Sequence, residues 1–127
     1  MVASGNRPTG PVTSRRTFEA LRRTRRRGRS GPVTVRYVEH EGGAPGVFVS
    51  YAVGRSVGGA VERNRVRRRL RSAVASGDVH FRPGSYLFSA SPEAAHQPFD
   101  ALRRSVERAV GRALEVPDER SSRGPRP

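Results

Sequence analysis

Residues 58–71, GGAVERNRVRRRLR, impose the tightest limit on how this chain can fold. Six of the nine residues from 63 to 71 are arginine, and the one acid in the segment, Glu62, precedes them. At 3.6 residues per turn, Val66, Leu70, Ala73 and Val74 fall at i, i+4, i+7 and i+8, which is one face of a helix. That narrow stripe can be buried. Arg65, Arg67, Arg68, Arg69 and Arg71 fan over the remaining surface, with Arg63 and Asn64 in the first turn. The segment is therefore expected to be a surface helix reaching about Ser76 and ended by Gly77. A helix that merely dissolves well mixes both signs of charge, whereas this one repels itself until a dense polyanion neutralises it. Nucleic acid is the polyanion that fits.

The rest of the chain must supply a surface for that stripe. Residues 14–26 read as a short helix with Ser14 as N-cap and Phe18 and Leu21 as its apolar edge. The basic run after it contains Gly28 and Gly31 and reads as a flexible loop. VTVRYV, 33–38, sets Val33, Val35 and Tyr37 on one side and Thr34, Arg36 and Val38 on the other, the period of a half-buried strand. After the turn EGGAPG, residues 47–53 are apolar on both faces and are expected in the middle of a sheet. SYLFSA, 85–90, follows the turn signal Pro83-Gly84 as a further strand. The clearest helix carries Leu102, Val106, Ala109, Val110, Ala113 and Leu114 at helical period, with Arg103, Arg104, Arg108 and Arg112 facing away and Pro117 closing it. The pattern predicts a single α+β domain over 13–116, in which helices cover a sheet of about four strands. Residues 1–12 and 117–127, rich in Gly, Pro and Ser, are expected to be disordered tails.

Composition narrows the function. The formal net charge is +14 over 127 residues, and all 25 basic residues are arginine. Arginine grips phosphate with a planar fork of donors and stacks on bases, although a lysine-free chain also follows from coding bias in a GC-rich genome. The absence of cysteine excludes disulfides, thiolate catalysis and zinc-thiolate sites, and fits a cytoplasmic protein. No stretch approaches the roughly 18 apolar residues of a membrane span, and the N-terminal residues lack an apolar signal core, so no membrane partner is expected. The carboxylates are scattered without a pairing that would hold two metal ions, and His40, His80 and His96 lack ligand spacing. GRSVGG matches neither phosphate-loop order, although the helix start behind it can hold a phosphate with help from Arg55 and Arg63. No catalytic or metal-binding residue is expected.

Beside the preceding GRSVGG, the run AVERNRVRRRLR resembles the signature of the bacterial ribonuclease P protein subunit, of the type GxAVxRNRxKRxxR. Gly58, Ala60, Val61, Arg63, Asn64, Arg65, Arg68 and Arg71 match it, with Arg67 in place of the usual lysine. Thr17-Phe18 stands at the position of the family's DF pair, and the resemblance spans about 14–115. It implies the order αβββαβα, a two-layer sandwich of the ribosomal protein S5 domain 2 type with a left-handed crossover. It further implies that an RNA subunit cleaves the 5′ leader from precursor tRNA with magnesium bound mainly by that RNA, and that no protein partner is required. Carried over by position, Arg55, Arg63, Asn64, Arg65, Arg67, Arg68 and Arg71 would contact the catalytic RNA, while Phe18, Arg22, Arg36 and Tyr37 would line a cleft for the leader. Arg22 and Arg36 stand where the family often has aromatics, with Tyr37 one residue away; Ser56, Ser85 and Ser91 replace charged residues. Arginine forks can take over part of the stacking. The competing readings are a non-catalytic RNA-binding protein of ribosomal type, a DNA-compacting protein and a self-sufficient metal nuclease. The first two give no reason for Asn64 between two arginines, and the third lacks clustered carboxylates.

Overall fold

Ser14 opens the first helix, α1 (Arg15–Arg23), by accepting the Thr17 amide at 3.3 Å. The computed structural model describes residues 8–76 and 78–116. The proposed tails at 1–7 and 117–127, and the helix ends at Gly77 and Pro117, lie outside them. α1 stops sooner than its composition suggests. Thr24 turns to extended backbone, donates its hydroxyl to the Tyr37 carbonyl at 3.0 Å and accepts the Arg26 amide at 3.1 Å.

The basic run beyond it is a strand, not the expected loop: β1 (Arg27–Ser30) alternates exposed arginines with buried Gly28 and Ser30. Gly31, at φ 55, and Pro32 then turn the chain into β2 (Val33–Val38). β3 (Val47–Ala52), a short 3-10 turn at Arg55–Val57, α2 (Ala60–Ala75), β4 (Gly84–Ala90) and α3 (Phe99–Glu115) follow. The sheet order is β1-β2-β4-β3, with β3 and β4 parallel and the other two pairs antiparallel. A parallel pair needs a crossover, and α2 provides it.

β3 therefore lies at an edge and is not central. Its second apolar face is explained by local packing: Phe48 meets the edge of the His40 ring, with centroids 5.3 Å apart. Along its outer side runs a strap that the composition had placed in the N-terminal tail. Gly10 bridges to Phe48 in parallel fashion, its carbonyl accepts the Val49 amide at 2.9 Å, and the Val12 amide donates to Ser50 Oγ at 3.1 Å.

One face of the sheet, carrying Val33, Val35, Tyr37, Val47, Val49, Tyr86 and Phe88, forms a single core with the stripes of α2 and α3. Val66, Leu70, Ala73 and Val74 are at most 1% exposed. Burial of each Val or Leu at this level contributes about 1.5–3 kcal/mol. α1 packs on the opposite face against β2 and β4, burying Leu21. The architecture is the expected α+β sandwich, with α2 and α3 as its helical layer.

β1 and α3 meet backbone to backbone. A β-carbon on Gly28 would overlap the Ala109 carbonyl oxygen and sit 2.5 Å from the Ala113 nitrogen. Gly111, on the exposed side of the same helix, has open space around it. Gly28→Ala is expected to destabilise by roughly 1–3 kcal/mol or more through overpacking. Gly111→Ala should stabilise by about 0.5–1 kcal/mol by removing helical glycine. Urea unfolding of the two variants checks both signs.

Buried phenols add a pH dependence. Tyr86 donates its hydroxyl to the Arg82 carbonyl and accepts the Arg82 amide, and burial raises its pKa well above the ordinary tyrosine value. Burial pushes Tyr51 up to about 12, against the opposing pull of Arg71. The folded state thus keeps protons that the unfolded chain releases near pH 10. It follows that unfolding free energy falls as pH rises above about 10. Urea midpoints taken from pH 8 to 12 should show the decline beginning near pH 10, with a shallower slope in Tyr51→Phe.

Candidate RNA interface

α2 begins without a side-chain cap. Gly59 is its N-cap residue, and the Gly59 carbonyl accepts the Arg63 amide at 2.9 Å. With the 66/70/73/74 seam buried, the ridge left facing solvent carries Asn64, Arg65, Arg68 and Arg71. Arg63 and Arg67 form a half-buried flank. Arg67 Nη1 donates to Asn64 Oδ1 at 2.9 Å, which gives the asparagine between the arginines a physical role: it orients a neighbouring guanidinium one turn away. Arg55 is exposed in the 3-10 turn before the helix. The seven residues assigned to this surface thus lie on one helix and the turn leading into it.

Arg69 departs from the expected fan. It is half-buried, and its Nη2 donates to the Gln97 carbonyl, tying α2 to the segment before α3. It is a tether more than an RNA ligand.

On the opposite face of the sheet, Arg36 pairs in register with Arg27 of β1 and Leu87 of β4, and its Nη1 donates to the Arg22 carbonyl at 2.9 Å. Phe18 of α1 is half-buried and lines a cavity of about 450 Å³ with Thr13, Arg15, Glu19 and Arg22. Phe18, Arg22 and Arg36 thus belong to the α1 side of the sheet.

Tyr37 does not. Neighbouring residues of a strand face opposite ways, so Tyr37 lies on the core side, fully buried. Its hydroxyl donates to the Pro83 carbonyl at 2.6 Å, and its ring packs 4.8 Å from Tyr86. It is a core residue and cannot line the cleft.

Residues 9–114 match the family described as Ribonuclease P. The chain belongs to this family. It is 36% identical over 103 residues to the ribonuclease P protein component of Symbiobacterium thermophilum, covering 80% of this chain and 89% of that one. It is likewise 39% identical over 94 residues to that of Nocardioides sp., covering 72% and 80%. Among solved structures, the RNase P protein of Staphylococcus aureus superposes with a TM-score of 0.64 at 16% identity, over 84% of this chain and 95% of that one. The Thermotoga maritima RNase P protein gives 0.64 at 17%, over 76% and 90%. These two likenesses speak for the fold.

In this member of the ribonuclease P protein family the two faces communicate around the end of β3. A second cavity, about 720 Å³, runs from Phe18, Ser50 and Leu87 past Tyr51 to Arg67 and Arg71. Tyr51 was not singled out from the sequence. Its ring stacks on Phe88, with centroids 5.7 Å apart, and the Arg71 guanidinium lies over it at 5.5 Å. Strand parity could have placed Tyr51 beside Val49 in the core, but only the parallel β3–α2–β4 path puts it under Arg71.

Arg69 and Arg65 should separate stability from binding. Arg69→Ala is expected to cost about 1.5–3 kcal/mol in urea unfolding, through loss of a charged hydrogen bond. Arg65→Ala should stay within about 0.5 kcal/mol of the parent protein.

Proposed function

We propose that this chain is the protein subunit of ribonuclease P, binding the catalytic RNA through α2 and assisting removal of the 5′ leader from precursor tRNA. The observation that carries the reading is the placement of the matched residues Asn64, Arg65, Arg68 and Arg71 on one exposed ridge of α2, with Arg63 on its half-buried flank. That surface suits the crowded phosphates of a folded RNA, and the α1-side cavity of Phe18 and Arg22, next to which Arg36 is tied by the Arg22 carbonyl, suits a single strand that offers bases for stacking.

The chain's contribution is electrostatic and positional. Arginines on two faces neutralise phosphates that would otherwise keep the two RNAs apart, and they supply bidentate donors in fixed orientation. Among the described residues no three His, Asp or Glu side chains converge as a cation cage. In this reading the magnesium and the cleavage chemistry belong to the RNA.

The decisive assay combines purified protein, precursor tRNA and magnesium, with and without a bacterial ribonuclease P RNA, at magnesium low enough that the RNA alone is slow. Stimulation of leader removal only when the RNA is present is the expected result. Cleavage by the protein alone would overturn the division of labour, and no stimulation would favour a non-catalytic RNA-binding protein.

Neutralisation of about six phosphates predicts that log K falls with log salt with a slope of roughly −4 to −5. Arg65→Ala with Arg68→Ala should make that slope shallower by about 2. The exposed α3 pair Arg104→Ala with Arg108→Ala should leave it unchanged. Filter binding to the catalytic RNA at several salt concentrations distinguishes the two.

A further inference from the structure

Val61 runs against the way this chain places its apolar residues. Among the described residues only two large apolar side chains are exposed, Phe99 at 38% and Val61 at 80%. A lone exposed valine is ordinary on a protein surface, but this one stands at the head of the arginine ridge. Asn64, Arg65 and Arg68 follow it at i+3, i+4 and i+7, all of them exposed and opposite the buried seam of Val66 and Leu70. Val61 has no place in the core, and a β-branched residue is a weaker helix former than alanine or arginine. Neither packing nor propensity accounts for it.

The residue that caps the helix is a second exception. Gly58 is held to glycine by its φ of 144 and by Glu62, whose Cβ would lie 3.0 Å from an added β-carbon. Gly59 is under neither constraint: its φ is −76, and a β-carbon there would meet nothing within 4 Å. Serine, asparagine or aspartate at this N-cap would accept a helix amide, and the fold has room for one, yet α2 starts without a side-chain cap. Side chains of a helix lean toward its N-terminus, so Val61 leans over this bare end. With exposed Ala60 between them, the missing side chain and the exposed apolar one leave a flat apolar shelf.

The charges beside the shelf decide what covers it. Arg65 and Arg68 draw phosphates, and whatever lies between those phosphates is pressed against Val61. Uninterrupted A-form RNA presents only phosphates, 2′-hydroxyls and base edges there, because its deep groove is closed to side chains and its shallow groove is polar. Dehydrating those groups against a valine is unfavourable. A base freed from its stack offers a flat apolar face, and every base has one. We infer that Val61 and Gly59 seat an unstacked base, so that α2 docks on structured RNA at a bulge or junction and not on uninterrupted duplex. The inference rests on the reading of α2 as an RNA-docking surface, and its test requires neither the catalytic RNA nor cleavage.

The full chain is titrated with two RNA hairpins of the same stem, one uninterrupted and one carrying a single bulged adenosine, while the Val61 methyl resonances are followed by NMR. The bulged hairpin is expected to bind roughly tenfold more tightly and, through the ring current of the seated base, to move those methyls upfield. Val61→Ser removes both methyls and should bring the two affinities within about twofold of each other, leaving the uninterrupted hairpin bound as before. Gly59→Ser can cap α2, so it should hold or raise the thermal midpoint and yet remove the preference.

Equal affinity of the parent protein for the two hairpins would overturn the inference, as would a preference that survives Val61→Ser. An equal weakening toward both hairpins in Val61→Ser would assign the valine to general contact with the RNA surface and overturn it as well. A thermal midpoint lowered by Gly59→Ser would make the glycine a requirement of the fold and overturn its part in the seat. Failure to stimulate a ribonuclease P RNA with the bulge preference intact would instead sink the proposed function and leave the seat standing.

Discussion

The burial of Val66, Leu70, Ala73 and Val74 is the interaction on which the rest depends. Along α2, five arginine pairs stand three or four residues apart, and like charges at that spacing cost about 0.2–0.5 kcal/mol each. Their total, roughly 1–2.5 kcal/mol, matches the burial of a single large apolar side chain. The seam holds one leucine and two valines at no more than 1% exposure, so the helix persists against its own charge. The seam also explains the orientation of the arginines: once four positions are turned inward, helical geometry leaves Asn64, Arg65, Arg68 and Arg71 facing solvent.

Much of this was legible in the sequence, and the failures have identifiable causes. Helical period located α2 and α3 and named their buried residues apart from Ser105, with Leu114 only partly buried, because both helices bury one stripe. Alternation placed β2 at its observed bounds. The same alternation set Tyr37 with Val33 and Val35, and should have barred it from sharing a cleft with Arg36; the carried-over family position overrode the simpler stereochemical rule.

β1 was hidden for a different reason. Its inward residues are Gly28 and Ser30, selected for the close approach of α3 and not for apolar bulk, so no hydrophobic signal marks the strand. β3 looked central because Phe48 is apolar, yet that ring is satisfied locally by His40. The arginine surface was readable since it is continuous in sequence. The Tyr51–Arg71 stack joins segments far apart in the chain, and no local pattern encodes it.

The strap at 9–12 has a consequence for the subunit before it meets its RNA. An unpaired strand offers a ladder of amides and carbonyls to any other chain, and edge-to-edge polymerisation follows when that ladder is long and bare. Here Gly10 and Val12 occupy the outer side of β3 near Phe48, Val49 and Ser50. At the other end of the sheet, β1 is only four residues long and flanked by arginine side chains that repel a second copy. Counter-ions and RNA would screen that repulsion, but the strap is indifferent to salt. The protein thus carries one electrostatic and one covalently tethered guard against self-assembly, and the tethered guard remains in force when the charge has been neutralised.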